Sequence, residues 1–388
     1  MNKRLVVLLL LASAAVLGSA IRGAQANAAV DPPFKASAGR QTHAGAAASR
    51  RSKLRTIVRG LVAAGAPGAL AVVRTPAGTD RAAGGLASLQ PRAAMQSTDR
   101  FRIASVTKTF VATLVLRLAA QGRLKLGDPV ERWLPGLVPN GGSITLRELL
   151  NHTSGLYNYT DDETWEKEEI ADPGRQWTPH ELVAFATSHP PLFPPGTSWS
   201  YSNTNYVLLG QVLEAVTGEP LDQELQGQLF RPLALGSTSF ASGTAIAGTY
   251  AHGYLGSASG LVSPGTLVDV STVVDPSELW AAGAIVSNAD NLTRFFALLL
   301  KGRVLPRAQM KAMKTANGAS INYGLGLRIA VTLCGAAFGH NGDAPGYRNI
   351  VWATANGRRV ASIMVNIDTT HVSWARLEAA AKNALCHG

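Results

Sequence analysis

Apolar positions along the chain fall into two spacings, and the change from one to the other marks out its elements. Between residues 52 and 64, Leu54, Ile57, Val58 and Leu61 recur every three or four positions, which predicts an amphipathic helix. The unbroken run Ala69-Leu70-Ala71-Val72-Val73 and a short segment over residues 81–86 flank Thr75-Pro76-Ala77-Gly78, the pattern of a β-hairpin. Helical spacing returns with Val106, Phe110, Val111, Leu114, Val115 and Leu118 and stops near Gln121-Gly122. From about residue 128 to 272 the chain is rich in Pro, Gly and Trp, with short helical patterns at 145–151, 178–188 and 205–216. Beyond Trp280 come a helix over 289–300 that Asn288 or Asp290 can cap, strand candidates at 324–331, 336–340, 348–355 and 359–366, and a last helix over 372–385.

Short connections such as Ala355-Asn356-Gly357 make the late strands an antiparallel meander, with the first and last helices covering one face. The fold class expected is α/β (α+β), an antiparallel sheet flanked by helices. Residues 50–127 and 273–388 form the sheet-and-helix domain, and 128–272 are an inserted, mostly helical domain. The active site belongs in the cleft between the two. Residues 27–49 read as a mobile lead-in. Met1-Asn2-Lys3-Arg4 followed by an apolar run over 5–17 reads as a secretory signal peptide over residues 1–26, cleaved after small residues. No cysteine follows that could carry a lipid, so an exported protein without a membrane anchor is expected.

With 388 residues and 46% hydrophobic content, the chain can bury a large core. Loss of the leader would take Lys3, Arg4 and Arg22, lowering the formal charge of +11 to about +8. An exported basic protein meets anionic cell-envelope polymers, and nucleic acid is not an expected partner. The basic run from Arg50 to Arg59 is a solvated helix face, and the acidic cluster Asp161 to Glu169 a loop or solvated face. Cys334 and Cys386 are the only cysteines; export favours their pairing, which would tie the last helix to the sheet. No H-x-H or H-E-x-x-H occurs, so neither a metal nor any other cofactor is called for, and no G-x-S-x-G marks a nucleophile elbow.

Ser105 begins the only S-x-x-K in the chain, at the start of the apolar helix, so Lys108 lies one turn on and faces it. A desolvated amine can take the proton from a serine hydroxyl, and helix-start N–H groups can meet developing negative charge. Pro195 to Tyr206 is a turn-rich polar run before another helix. It offers Tyr201 as a proton relay and Asn203 as a partner for Lys108 and a substrate amide. Gly339 to Tyr347 joins two late strands, and its glycines would let a ligand backbone approach.

The ordered set Ser105-Val-Thr-Lys108, Tyr201-Ser-Asn203 and His340-Asn-Gly342 resembles the active-site serine penicillin-recognising enzymes, in the branch that holds class C β-lactamases and soluble secreted D-alanyl-D-alanine carboxypeptidases. Asn151-His-Thr-Ser-Gly155, Trp280-Ala-Ala-Gly283 and Tyr323-Gly-Leu-Gly-Leu-Arg328 extend the resemblance, which runs from about Arg51 to Cys386. It implies a β-lactamase/transpeptidase-like fold and, as substrates, peptidoglycan stem peptides and β-lactams, handled by a monomer. His340 stands where class C enzymes carry lysine, which points to the carboxypeptidase side; Asn341 and Asp343 depart from the usual H-T-G pattern.

The roles the resemblance implies are these. Ser105 attacks, Lys108 and Tyr201 move the proton, Asn203 positions Lys108 and the acyl amide, and His340 polarises the Tyr201 side of the cleft. The Ser105 and Asp343 N–H groups hold the oxyanion, Arg328 meets the substrate's terminal carboxylate, and Asn341, Gly342 and Trp280 line the substrate. A β-lactamase, esterase or D-peptidase on the same scaffold is the nearest alternative, and a non-catalytic wall-binding or β-lactam-sensing protein is the alternative of another class.

Overall fold

The structure is a computed structural model that describes residues 43–256, 266–316, 318–319, 322–367 and 372–387. The expected signal peptide, and the lead-in as far as residue 42, lie outside the described residues. The strands, in chain order, are β1 (Gly68–Thr75), β2 (Gly78–Leu89), β3 (Arg92–Ala94), β4 (Phe101–Arg102), β5 (Ser239–Phe240), β6 (Tyr254–Gly256), β7 (Leu267–Asp269), β8 (Ile285–Ser287), β9 (Arg328–Thr332), β10 (Gly335–Ala344), β11 (Tyr347–Thr354) and β12 (Val360–Val365).

Seven of them form one sheet in the order β3-β2-β1-β12-β11-β10-β9, every neighbouring pair antiparallel. Alternation along each strand feeds two cores, because successive side chains point to opposite faces. On one face Ala69, Ala71, Val73, Ile350, Trp352 and Ile363 pack under Leu54, Val58 and Leu61 of the first helix and Leu377, Ala381 and Leu385 of the last. Each fully buried leucine or valine there contributes roughly 1.5–3 kcal/mol. On the other face Leu70, Val72, Val351 and Met364 meet Phe295 and Phe296 of helix Ala289–Leu300. That core continues through Phe110 and Val111 of helix Thr107–Ala120 to Leu149, Leu208 and Leu209. The helices between residues 146 and 225 therefore share one apolar core with the sheet.

Several expectations shift on inspection. The first helix runs His43–Ala63, so residues 43–49 are helical rather than mobile; their alanines favour helix without an apolar stripe that periodicity could detect. The third motif is not a connection between strands, because β10 continues to Ala344 and the turn follows at Pro345-Gly346. The acidic cluster is a helix, Glu163–Ala171, capped by Asp162. Its exposed start fits the expectation, but Glu169 is buried and accepts from Trp177 Nε1 at 2.8 Å. Among the described residues no helix is long and apolar enough to cross a membrane.

Candidate active site

Ser105 sits on a 3-10 turn, Ala104–Val106, that leads straight into helix Thr107–Ala120. Ala104 takes a left-handed φ of 47°, an uncommon state for a residue with a Cβ and one that recurs where a site over-determines its backbone. One turn on, Lys108 is fully buried, and its Nζ lies 3.0 Å from Ser105 Oγ, 2.7 Å from Asn203 Oδ1 and 2.8 Å from Ala282 O. Burial pushes the Lys108 pKa well below its ordinary value. Tyr201 Oη donates to Ser105 Oγ at 2.8 Å, and burial raises its pKa, with the Ser105 bond and Arg328 opposing.

Ala282 O can only accept, and Asn203 presents its oxygen because its Nδ2 donates to Thr160 Oγ1. Lys108 donates to both oxygens, and its third direction faces Ser105 Oγ. The lowered pKa of the amine suits it to take a proton, and the raised pKa of Tyr201 suits the phenol to keep one.

The third motif is held against the Ser105 turn from the side. β9 pairs with β10 only as far as Gly339, so among the described residues no strand lies against His340–Ala344 on that edge. A Cβ at Gly342 would stand 2.0 Å from Ile103 O, so the close approach made possible by this glycine is used by the chain's own turn before Ser105. Asp343 turns its side chain away, to Arg348 and to Trp374 Nε1 at 3.3 Å, leaving only its backbone for the cleft.

His340 is also placed differently from expectation. Its Nδ1 lies 2.6 Å from Asn341 O, which can only accept, so the proton is on Nδ1 and Nε2 accepts from Tyr323 Oη at 2.9 Å. Burial lowers its pKa to about 3. The ring is thus neutral, enclosed, and bonded to Tyr323 rather than to Tyr201.

Arg328 and Asn341 come together: Arg328 Nη1 donates to Asn341 Oδ1 at 2.9 Å, and Nη2 reaches Glu378 at 3.5 Å. The asparagine that replaces the more usual threonine thus anchors the arginine beside the open edge. Trp280 packs its ring on Gly210, where a Cβ would stand 2.6 Å from it, and its segment reaches the site through Ala282 O. Sequence reasoning missed Ala282 O, Tyr323, Thr160 and His152. Three of the four lie in or beside family-like stretches, but a backbone oxygen leaves no residue-type signal. Among the described residues no cluster of three or more His, Cys, Asp or Glu side chains offers a metal site.

The family model described as Beta-lactamase matches residues 54–385. PbpX of Bacillus subtilis (strain 168), a penicillin-binding protein by name, is 28% identical over 267 residues, which are 69% of this chain and 62% of that protein. The chain thus spans less than two thirds of that curated relative's length. A D-stereospecific amidohydrolase from Streptomyces sp. superposes with a TM-score of 0.77 at 36% identity, over 87% of this chain and 98% of that one. The D-amino acid amidase of Ochrobactrum anthropi SV3 superposes with a TM-score of 0.76 at 26% identity, over the same shares.

Proposed function

The chain belongs to the Beta-lactamase family of serine hydrolases, and from that premise we propose that it is a secreted D-alanyl-D-alanine carboxypeptidase acting on peptidoglycan stem peptides through an acyl-enzyme. The observation that carries the chemistry is the convergence of Lys108 Nζ and Tyr201 Oη on Ser105 Oγ, at 3.0 and 2.8 Å. Ser105 Oγ adds to the carbonyl of the penultimate residue as its proton passes to Lys108. The oxyanion is met by the Ser105 and Asp343 N–H groups. As the C–N bond breaks, Tyr201 protonates the departing amine and is reprotonated from Lys108, leaving a serine ester. Water then adds to the ester with the same amine as base, releasing the acid and restoring Ser105. Asn203 holds Lys108 and the acyl amide, while His340 braces Tyr323 behind them. Arg328, held by Asn341, is the cation for the substrate's terminal carboxylate. Residues 50–127 with 273–388, and 128–272, are the two walls of the cleft. Export rests on the leader pattern and the Cys334–Cys386 bond.

A second reading has one specific observation in its favour. Asn203 Nδ2 and Asn158 Nδ2 both donate to Thr160 Oγ1, and Asn158 Nδ2 also donates to Asp161 Oδ1 at 3.0 Å. An exposed carboxylate three hydrogen bonds from the acyl-amide residue suits a substrate with a free ammonium next to its scissile bond. That is the hydrolysis of a D-amino acid amide or of an N-terminal D-residue, in keeping with the names of the two solved neighbours.

The test incubates wild type and Ser105→Ala with fluorescent penicillin, a D-Ala-D-Ala peptide, its C-terminal amide and a D-amino acid amide. Retained label and D-alanine release from the free acid, both lost in Ser105→Ala, are expected. A marked preference for the D-amino acid amide replaces the first reading by the second, and labelling that survives Ser105→Ala removes both.

A further inference from the structure

His152 follows helix Leu146–Leu150 in the stretch Asn151-His152-Thr153-Ser154-Gly155. It is fully buried and takes a left-handed φ of 62°, a state that histidine, asparagine and aspartate tolerate better than other residues with a Cβ. Its hydrogen bonds fall on both sides of Tyr201. Ser200 N donates to His152 O at 3.1 Å, and Ser202 N donates to His152 Nδ1 at 3.2 Å. Between those two bonds the imidazole lies against the Tyr201 ring itself, with centroids 4.4 Å apart. Tyr206 and Tyr323 close the other sides of the imidazole at 5.4 and 4.8 Å.

The tautomer follows from the partners. A backbone N–H can only donate, so Nδ1 accepts from Ser202. Asn205 also presents its Nδ2 to Nδ1 at 3.2 Å, because its Oδ1 is taken by Ser154 Oγ at 2.6 Å. The proton is therefore on Nε2, which has no hydrogen-bond partner among the described residues. Burial, with Lys108 and His340 nearby, holds the pKa well below its ordinary value, and protonating Nδ1 would displace both donors. The ring stands as a wall that burial and its two donors keep from taking a second proton readily.

We propose that His152 is the positioning residue for Tyr201: one side chain and one carbonyl clamp the residues on either side of it while the ring limits its swing, so that Oη stays on Ser105 Oγ. This rests on the reading of Ser105 as nucleophile and Tyr201 as its proton donor. A tyrosine freed from the clamp remains in the site but leaves its productive geometry, and a misplacement of about 1 Å at a reacting group costs on the order of 100-fold.

Three variants test the clamp. His152→Asn keeps an acceptor near the position of Nδ1 and suits a left-handed φ; His152→Phe keeps the ring and loses the acceptor; His152→Ala loses both. The readout is the rate constant for acylation of Ser105 by a fluorescent β-lactam, normalised to titrated active sites, with the non-covalent affinity measured alongside. His152→Ala and His152→Phe are expected to acylate roughly 10- to 100-fold more slowly at unchanged affinity, and His152→Asn to recover most of the loss. Acylation in His152→Phe equal to wild type overturns the clamp, as does a loss confined to folded fraction or affinity. Wild type labelled at Ser105 beside indifferent His152 variants sinks this inference alone, whereas labelling elsewhere sinks the catalytic assignment first.

Discussion

Replacing Gly342 by alanine tests how closely the third motif is fitted to the nucleophile. The new Cβ would stand 2.0 Å from Ile103 O and 2.9 and 3.0 Å from the side-chain oxygen and nitrogen of Asn349. None of these can step aside cheaply. Ile103 is fully buried two residues before Ser105, and Asn349, also fully buried, donates to Arg102 O at 3.3 Å. An ordinary contact needs at least 3.4 Å, so β10 and the nucleophile turn must part by more than about 1 Å. That opening separates the Asp343 backbone from Ser105, and a shift of this size is expected to slow acylation about 100-fold. Overpacking should also cost roughly 1–3 kcal/mol of stability. The assay is the rate of fluorescent β-lactam labelling per folded molecule, with a thermal melt in parallel. Gly60→Ala serves as the control, because a Cβ there meets nothing within 4 Å on an exposed helix face. Wild-type labelling by a folded Gly342→Ala protein would refute the fit between β10 and the nucleophile turn.

Two further perturbations probe the frame around the site. The Cys334–Cys386 bond closes a loop of sequence separation 52 between the β9–β10 hairpin tip and the last helix, which on the entropic model is worth about 4 kcal/mol. Cys386→Ser should lower the melting temperature and leave acylation in the cold unchanged; an unchanged melt would remove the bond from the stability of the fold. Burial raises the carboxyl groups of Glu169 and Glu278 to about 9 and about 7, with the nearby Glu278 adding to the rise at Glu169 and Arg102 opposing the rise at Glu278. Raised acids bind more protons folded than unfolded, so the fold should lose stability as pH climbs from the ordinary carboxylate range near 4.5 toward 9. Glu169→Gln should flatten that decline in urea unfolding curves, and an equal slope in both proteins would put the protons elsewhere.

Much of the candidate site was legible in the sequence. An i, i+3 pair on one helix is a property of local geometry, so Ser105 and Lys108 could be read as facing each other from spacing alone. The same holds for the β1–β2 hairpin, the Asn288-capped helix and the late meander, each written in residues adjacent in sequence. Tyr201 and Asn203 were nameable but not placeable, since 96 residues separate Tyr201 from Ser105 and only packing of the intervening helices brings them to hydrogen-bonding distance.

What the tertiary structure decided is where side chains point and which groups they meet. His340 was read as facing Tyr201 and proves to be bonded to Tyr323. Gly342 was read as room for a ligand and is filled by Ile103 O. The half-buried Trp280 ring packs on Gly210, a contact that its spacing in the sequence could not show. Glu169 was read as solvated and is buried beside a second carboxyl group. The cradle that holds Lys108 needed the oxygens of Ala282 and Asn203, which come from distant parts of the chain. Periodicity encodes which face of an element is buried, because that depends on residues three or four apart. It carries no record of which remote carbonyl, ring or Cβ will occupy the space opposite, and a donor's direction is set by that neighbour.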